Sequence, residues 1–526
     1  MYKNGKILIG KNEDTEVNIL LDKANRHGLI TGATGTGKTI TLKVLAESFS
    51  SAGVPVLMID VKGDLAGTSM IGEQNENVDS RVVKMELKDD FKYTKFPVTF
   101  LDVYGKNGHP VRTTVQSVGH RLMSKMLGLT DVQDSVLSMV YKIAEDESNP
   151  MDTLEDLQRY LIYINNNRAD YSTKYGNLPS QSLTTIQRNV MELMEDVGDS
   201  FFGLPSFDIK DLRGLDVDTG YGKINVLDAQ ELFRHPDSYS VMILWLLNQL
   251  YDTMPEVGDL DKPKLVFFID EAHLLFDDMP KTIVDHIIKI VKLIRSKGIG
   301  LYFVSQLPGD IPEEVLAQLG NRVQHALHAY TPAEQRSLKL ASDSFRVNPK
   351  FDTAKEIQNL GTGEALVSVL DDKGNPTITE SVKILPPQSR MGTITEDERR
   401  NVILNSDIYG KYEEKIERES AKEVIDSKLE AQEQAKIEAE EAKAAEKQAK
   451  IDQQLAKEQQ RLQEKLQKEE ERKQKEEQRA QEKAEKEAEK ARKNSIGYKL
   501  GKKVVNKTEN KIIDKTLNKL FKGFFK

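Results

Sequence analysis

HGLITGATGTGKTITLKVLAESFSSAG, residues 27 to 53, reads as a strand, a glycine-rich turn and a helix. PVLMID at 55 to 60 follows as a continuous apolar run of the kind a buried parallel strand shows. Strand, loop, helix, strand is a βαβ unit and argues for a parallel sheet. Within the unit, GATGTGKT, Gly32 to Thr39, matches G-x-x-x-x-G-K-[ST] in full. The chemistry asks for these residue types because phosphate oxygens are cradled by backbone N–H groups, and side chains obstruct that approach. Gly32, Gly35 and Gly37 leave three points of the loop without a Cβ. The helix that follows adds N–H groups and the positive end of its dipole. The expected nucleotide-binding set is Gly32, Ala33, Thr34, Gly35, Thr36, Gly37, Lys38, Thr39 and Ile40, with ATP and Mg²⁺ as ligands. Lys38 is expected to reach the β- and γ-phosphates, and the Thr39 hydroxyl to ligate Mg²⁺.

Working outward, the next chemistry lies in KLVFFIDEAH, residues 264 to 273, a buried strand ending in two carboxylates. Open α/β sheets bind ligands at the carboxyl ends of their strands, which is where Asp270 and Glu271 fall. Asp270 is expected to hold Mg²⁺, directly or through water, and Glu271 to polarise the attacking water. The bland alternative is a solvated acidic turn. YFVSQ at 302 to 306 is a further strand with a polar end, so Gln306 is a candidate for touching the γ-phosphate or the lytic water. It could equally be a polar strand terminus. Arg295 and Arg322 are candidates for a finger reaching a neighbouring subunit's nucleotide, with Arg295 slightly favoured. Asp60, Lys62 and Asp64, in DVKGDLAG, point toward the same edge and leave turn chemistry and function equally open. His325 and His328 read as packing or polar filler, and His273 as a hydrogen-bond partner.

The rest of the chain sets limits. Of 526 residues none is cysteine, which excludes disulfides, thiolate zinc sites and cysteine nucleophiles. A net charge of −9 argues against a uniformly basic nucleic-acid coat but leaves room for a local basic groove. The N-terminus has no apolar core of signal-peptide length, and VMILWLL at 241 to 247 falls far short of the ~20 residues that span a bilayer. A soluble, cytoplasmic protein is the expectation, with peripheral membrane attachment open.

Residues 1–70 and 221–390 read as an α/β core, and 71–220 as a mostly helical insertion. In the insertion, DVQDSVLSMVYKIAED and TTIQRNVMELMEDV space apolar residues three and four apart. Residues 391–411 read as a linker and 412–493 as a charged helix or coiled coil. From Glu413 to Ile496 there is no Gly, Pro or aromatic residue, and opposite charges recur three or four apart. Apolar spacing is heptad-like only briefly, at Ile451, Leu455, Leu462 and Leu466, so a single solvated helix and a coiled coil stay equally open. The final stretch, 494–526, reads as a basic amphipathic tail. Residues 492 to 526 hold eleven Lys or Arg against Glu509 and Asp514, with Phe521, Phe524 and Phe525 near a helical period. Such a tail suits an anionic membrane surface, DNA phosphates or a partner helix, or is merely solvated.

GATGTGKT, DVKGDLAG, KLVFFIDEAHLLF, KLIRSKGIG, YFVSQLPGDIPEEVLAQLGNRVQHAL and TGEALVS together resemble the HerA/FtsK group of hexameric ATPases. More narrowly, residues 5 to 395 resemble the bacterial HerA-helicase C-terminal-domain (YjgR-like) family. The resemblance implies a RecA-like P-loop NTPase fold, ATP hydrolysis at the interfaces of a homo-hexamer, and roles for Lys38, Thr39, Asp270, Glu271 and Gln306. HerA translocases carry a β-barrel ahead of the phosphate loop. Only 31 residues precede Gly32, so no such barrel is expected here. Two functions follow as expectations. One is a ring ATPase coupled to DNA translocation or remodelling. The alternative is a nucleotide-driven switch or scaffold tethered through its basic tail.

Overall fold

In the computed structural model of the chain, residues 1–493 are described, apart from Val197 and Asp278. The runs read as buried strands lie side by side because each has two apolar faces to cover. Val56–Asp60, Ile224–Asp228, Leu265–Ile269 and Ile299–Ser305 are buried at every position. They form the middle of a thirteen-stranded sheet. Its parallel part runs in the order Asn321–Gln324, Gly28–Thr31, Ile299–Ser305, Leu265–Ile269, Val56–Asp60, Ile224–Asp228, Val98–Asp102. Glu364–Ser368, Glu380–Ile384 and Lys6–Lys11 continue it as antiparallel neighbours. The α/β expectation, a mainly parallel sheet with a helical insertion and a long charged C-terminal helix, holds.

This order has one consequence for the site. The strand before the phosphate loop, Gly28–Thr31, is not adjacent to the strand before the carboxylates, Leu265–Ile269. Ile299–Ser305 lies between them, so its carboxyl end stands between loop and carboxylates.

Each face of the sheet carries its own core. On one face the helix Lys38–Ser51 packs through Phe49 into a core that includes Met58, Phe268 and Tyr302. Every residue from Thr41 to Ser50 in this helix is buried, so it is covered on all sides rather than amphipathic. The other face takes Pro236–Thr253, which holds VMILWLL, and the helices of the insertion, including Asp131–Asp146, Leu154–Asn166 and Ser180–Asp196. Among the described residues no helix is long and apolar enough to cross a membrane.

The boundaries differ from the sequence reading in three places. Val98–Asp102, inside the stretch read as helical insertion, is a sheet strand paired with Ile224–Asp228. Its five residues carry too little pattern to separate it from loop, and only the partner strand fixes it. The stretch 391–411 contains the helix Glu396–Leu404, whose Arg399 lies 4.6 Å over the Phe100 ring and 3.4 Å from Asp228. Last, the compact unit reaches Ala431, because Tyr412, Ala421 and Ile425 are buried in it. The helix Ala421–Lys493 therefore begins nine residues later than 412. From Gln432 a second unit is counted, in which Ile451, Leu455, Leu462 and Leu466 are exposed. The basic tail, 494–526, lies outside the described residues.

Candidate functional site

The glycine-lined loop is closed by backbone contacts from two neighbouring strands. Gly32 N–H donates to the Gln306 carbonyl at 3.2 Å, and Ala33 N–H to that of Ala326 at 2.9 Å. Thr36 Oγ1 turns inward to the Ala33 carbonyl at 2.7 Å. Gly32 needs to be glycine on two counts, conformation and space, and Gly37 by its conformation. Their φ values are 152° and 115°, and a Cβ at Gly32 would stand 2.5 Å from His325 Cβ. Gly35 has open space around it, so its φ of 79° alone carries the requirement.

The helix then starts at Lys38, which leaves the N–H groups of Lys38, Thr39 and Ile40 without intrahelical acceptors. Gly37 at the cap position brings no side chain to satisfy them. The Lys38 ammonium donates to the carbonyls of Gly32 at 2.6 Å and Ala33 at 3.1 Å. Burial, followed by the nearby Lys62, holds its pKa below the usual lysine range, while Asp270 and Glu271 oppose that shift. Lys38 and the carboxylates therefore share one electrostatic site. Thr34 and Gly35 are exposed at the loop tip, and Thr39 and Ile40 are half-buried.

The two acids are held differently. Asp270 Oδ1 accepts the Glu271 N–H at 2.9 Å, and its carbonyl accepts the Tyr239 hydroxyl at 2.6 Å. Burial and then the Glu271 charge push the Asp270 carboxyl up to about 6, against the pull of the Glu271 N–H, Lys62 and Lys38. Glu271 sits in the left-handed region at φ 46°, uncommon for a residue with a Cβ. Its Oε1 is 3.8 Å from Lys62 Nζ and its Oε2 is 3.5 Å from His273 Nδ1. Lys62, left open by the sequence, thus faces the second carboxylate.

Gln306 is exposed at the end of the intervening strand, one hydrogen bond from Gly32. Arg295 is not brought to this edge. It precedes Ile299–Ser305, and its carbonyl accepts from Asn25 Nδ2 at 3.4 Å, at the amino-terminal edge of the sheet. Arg322 is spoken for by its own chain: its guanidinium donates to the carbonyls of Leu319, Ser344 and Leu316 at 2.8 to 3.0 Å. That arrangement corrects its standing as a candidate finger.

Two side chains support the site, one misjudged from the sequence and one left open by it. His325 is no filler. Its Nδ1–H donates to the Glu364 carbonyl at 2.9 Å, so Nε2 accepts from Thr41 Oγ1 at 2.8 Å, and burial pulls its pKa down to about 4. A neutral imidazole wedged against Gly32 holds the loop to the helix. We expect His325→Ala to leave two buried groups unpaired and to cost about 1–3 kcal/mol in urea melts. A melt unchanged from wild type would deny His325 that role.

Asp60, the second support, accepts N–H groups from Gly63 at 2.6 Å, Leu65 at 3.1 Å and Lys62 at 3.3 Å, and so shapes the loop that presents Lys62. Burial, then the charge of Asp64, lifts its carboxyl from near 3.8 to about 7. The folded chain therefore binds a proton that the unfolded chain has released between those values. Stability from this group is present at low pH and is lost as pH rises from about 4 to about 7. Urea melts across that range without added metal are expected to show the slope in wild type and a flatter one in Asp60→Asn. An equal slope would assign the proton to another group.

The family model described as helicase HerA-like C-terminal matches residues 6–511. The chain belongs to that family. HerA-like relatives include the DNA double-strand break repair helicase HerA of Sulfurisphaera tokodaii, 25% identical over 386 residues, covering 70% of this chain and 67% of that protein. The protein of the same name from Saccharolobus solfataricus is 22% identical, over 68% of this chain and 64% of its own length. This HerA-like chain thus spans about two thirds of each relative. Among solved structures, the plasmid coupling protein TrwB in complex with ADP and Mg²⁺ matches 76% of the chain and 92% of its own at 14% identity and a TM-score of 0.48.

Proposed function

We propose that this HerA-like chain hydrolyses ATP, and that hydrolysis drives movement on, or remodelling of, DNA by a ring of identical subunits, six in number. The observation that carries the reading is the meeting of Lys38 with Asp270 and Glu271 at one sheet edge, although 232 residues separate Lys38 from Asp270 in sequence. The residues fit a magnesium nucleotide. A loop bare of Cβ atoms at Gly32, Gly35 and Gly37, three uncapped helix N–H groups and a half-buried ammonium match a polyphosphate, and Asp270 with the Thr39 hydroxyl supplies hard oxygen donors. Bound Mg²⁺ supplies charge neutralisation on the phosphate oxygens.

In this reading the Gly32–Thr39 amides bind and orient the triphosphate. Lys38 exchanges its two carbonyl partners for phosphate oxygens. Glu271, steered by Lys62 and His273, accepts the proton of the attacking water, and Gln306 orients that water from the strand between. Arg295 lies at the far edge of the sheet, so any nucleotide it serves belongs to a neighbouring subunit.

The test is phosphate release with and without double- and single-stranded DNA at low salt, alongside particle mass with nucleotide. DNA is expected to raise the rate several-fold, and DNA binding to weaken steeply with salt as counterions are released. A basal rate indifferent to both DNA forms would remove the motor reading and leave hydrolysis alone. A monomeric mass with nucleotide would remove the ring.

A further inference from the structure

The helix Ala421–Lys493 is exposed at every position from Glu433 to Lys490, yet its large apolar residues are not scattered around it. Ile437, Ile451, Leu455, Leu462 and Leu466 are each 46–61% exposed. At about 100° per residue, all five fall within an arc of about 60°, along roughly 44 Å of helix. Ala444 falls in the same arc. Random placement would spread such residues over every face. The spacing also explains why the heptad pattern fades. Ile451 to Leu462 and Leu455 to Leu466 are each eleven residues, three helical turns, a repeat that two helices keep in contact with slight right-handed supercoiling.

We propose that residues 437–466 of this helix pair with the same stretch of a second copy of the chain, parallel and in register. Such pairing uses no residue of the nucleotide site and stands whether or not that site binds ATP.

Charge selects both the occupant and its direction. One flank of the stripe carries Lys443, Lys447, Lys450, Arg461 and Lys465, and the other carries Glu438, Glu441 and Asp452. An anionic partner meets the acidic flank and a cationic one the basic flank. The chain's own basic stretch, 494–526, is disfavoured on that ground. A second copy laid parallel meets neither clash, because a two-fold axis along the pair sets opposite flanks together on both sides. An antiparallel copy would set basic on basic.

The register is equally specific. In a parallel pair a flank residue meets the partner's opposite flank about five residues further on. Lys436, Lys447 and Lys465 then face Glu441, Asp452 and Glu470 of the partner subunit. Glu440 and Glu458, between the basic flank and the stripe, face Ala445 and Gln463 of the partner subunit rather than an acid. Among the described residues, none of those three lysines makes an ion pair within its own helix, whereas Lys450 does, with Glu446 at 2.7 Å. Asp452 accepts from the neutral amide of Gln448 at 3.0 Å. Rotational symmetry keeps the arms of a ring parallel, so the pairing is compatible with the assembly proposed above.

The test uses the full chain, which has no cysteine of its own. Ile451→Cys and Leu466→Cys, each made alone and oxidised with copper phenanthroline, are expected to give mostly disulfide-linked dimers. Gln453→Cys, on the opposite face, is expected to give several-fold fewer. Links between identical residues at both stripe positions require parallel helices in register. In the Ile451→Cys background, Lys436→Glu, Lys447→Glu and Lys465→Glu together are expected to lower the yield several-fold. Mixing that chain with one carrying Glu441→Lys, Asp452→Lys and Glu470→Lys in the same background is expected to restore it. No link at either position leaves a solvated helix and overturns the pairing. So does a link formed only when the Ile451→Cys and Leu466→Cys chains are mixed, or a yield indifferent to the charge reversals.

Discussion

Lys38→Ala is expected to weaken ATP binding by roughly 10- to 100-fold and to reduce hydrolysis to background. The ammonium is the cation placed among the loop carbonyls, 2.6 Å from Gly32 O and 3.1 Å from Ala33 O, and it feels both Asp270 and Glu271. A hydrogen bond to a charged group contributes about 1.5–3 kcal/mol, which sets the range for affinity. The loss in rate is larger, because charge on the transferring phosphoryl group has no other cation facing it from this loop. Calorimetric titration with ATP and a phosphate-release assay check the two parts. The fold is expected to survive, since Lys38 is bonded only to its own loop, and a far-ultraviolet spectrum serves as control. Wild-type affinity and turnover in this variant would remove the nucleotide site from residues 32 to 39.

The second large effect separates binding from chemistry. Glu271→Gln keeps the shape of the side chain and removes its basicity. Nucleotide affinity is expected to stay within a few-fold of wild type, while turnover falls by about 10²–10⁴, the usual contribution of a positioned general base. The geometry gives the reason. Glu271 is held out in the left-handed conformation and flanked by Lys62 and His273, so the side chain is steered rather than free. Lys62→Ala is expected to act in the same direction with a smaller loss. Single-turnover hydrolysis of labelled ATP distinguishes slow chemistry from slow release. Turnover at the wild-type rate in Glu271→Gln would move the water-activating role to another group on the same edge.

Much of this site was legible because its chemistry is local in sequence. The phosphate loop is eight consecutive residues, and the need for Gly32 and Gly37 follows from backbone geometry that sequence spacing alone reports. Asp270 was legible for a related reason: LVFFI is a short run rich in β-branched and aromatic residues after Pro263 and Lys264, which reads as a buried strand, and the acids at its end then fall at the carboxyl edge of the sheet. His325 was not legible. Nothing in RVQHALHAY distinguishes a histidine that packs from one that braces a loop, because Thr41, Glu364 and Gly32 come to it from three other segments. Arg322 misled for the same reason, its carbonyl partners being a matter of tertiary fold. The charges at Lys43 and Glu47 also gave no warning. In sequence they look like an exposed ion pair one helical turn apart, yet both are buried and hold the backbone at 388–390.

By itself the amino-acid sequence determined the α/β class, the phosphate-binding loop, the paired acids and the long charged helix, since each rests on a pattern within a few consecutive residues or turns. Tertiary structure alone decided that Ile299–Ser305 stands between loop and acids, that Val98–Asp102 joins the sheet and that the compact unit runs on to Ala431. It also decided that a walled cavity opens beside Ile40. The physical reason is one of range. Hydrophobic period and backbone conformation are set by near neighbours in the chain, whereas strand order, burial of a charge and the shape of a cavity depend on which distant segments fill the remaining space.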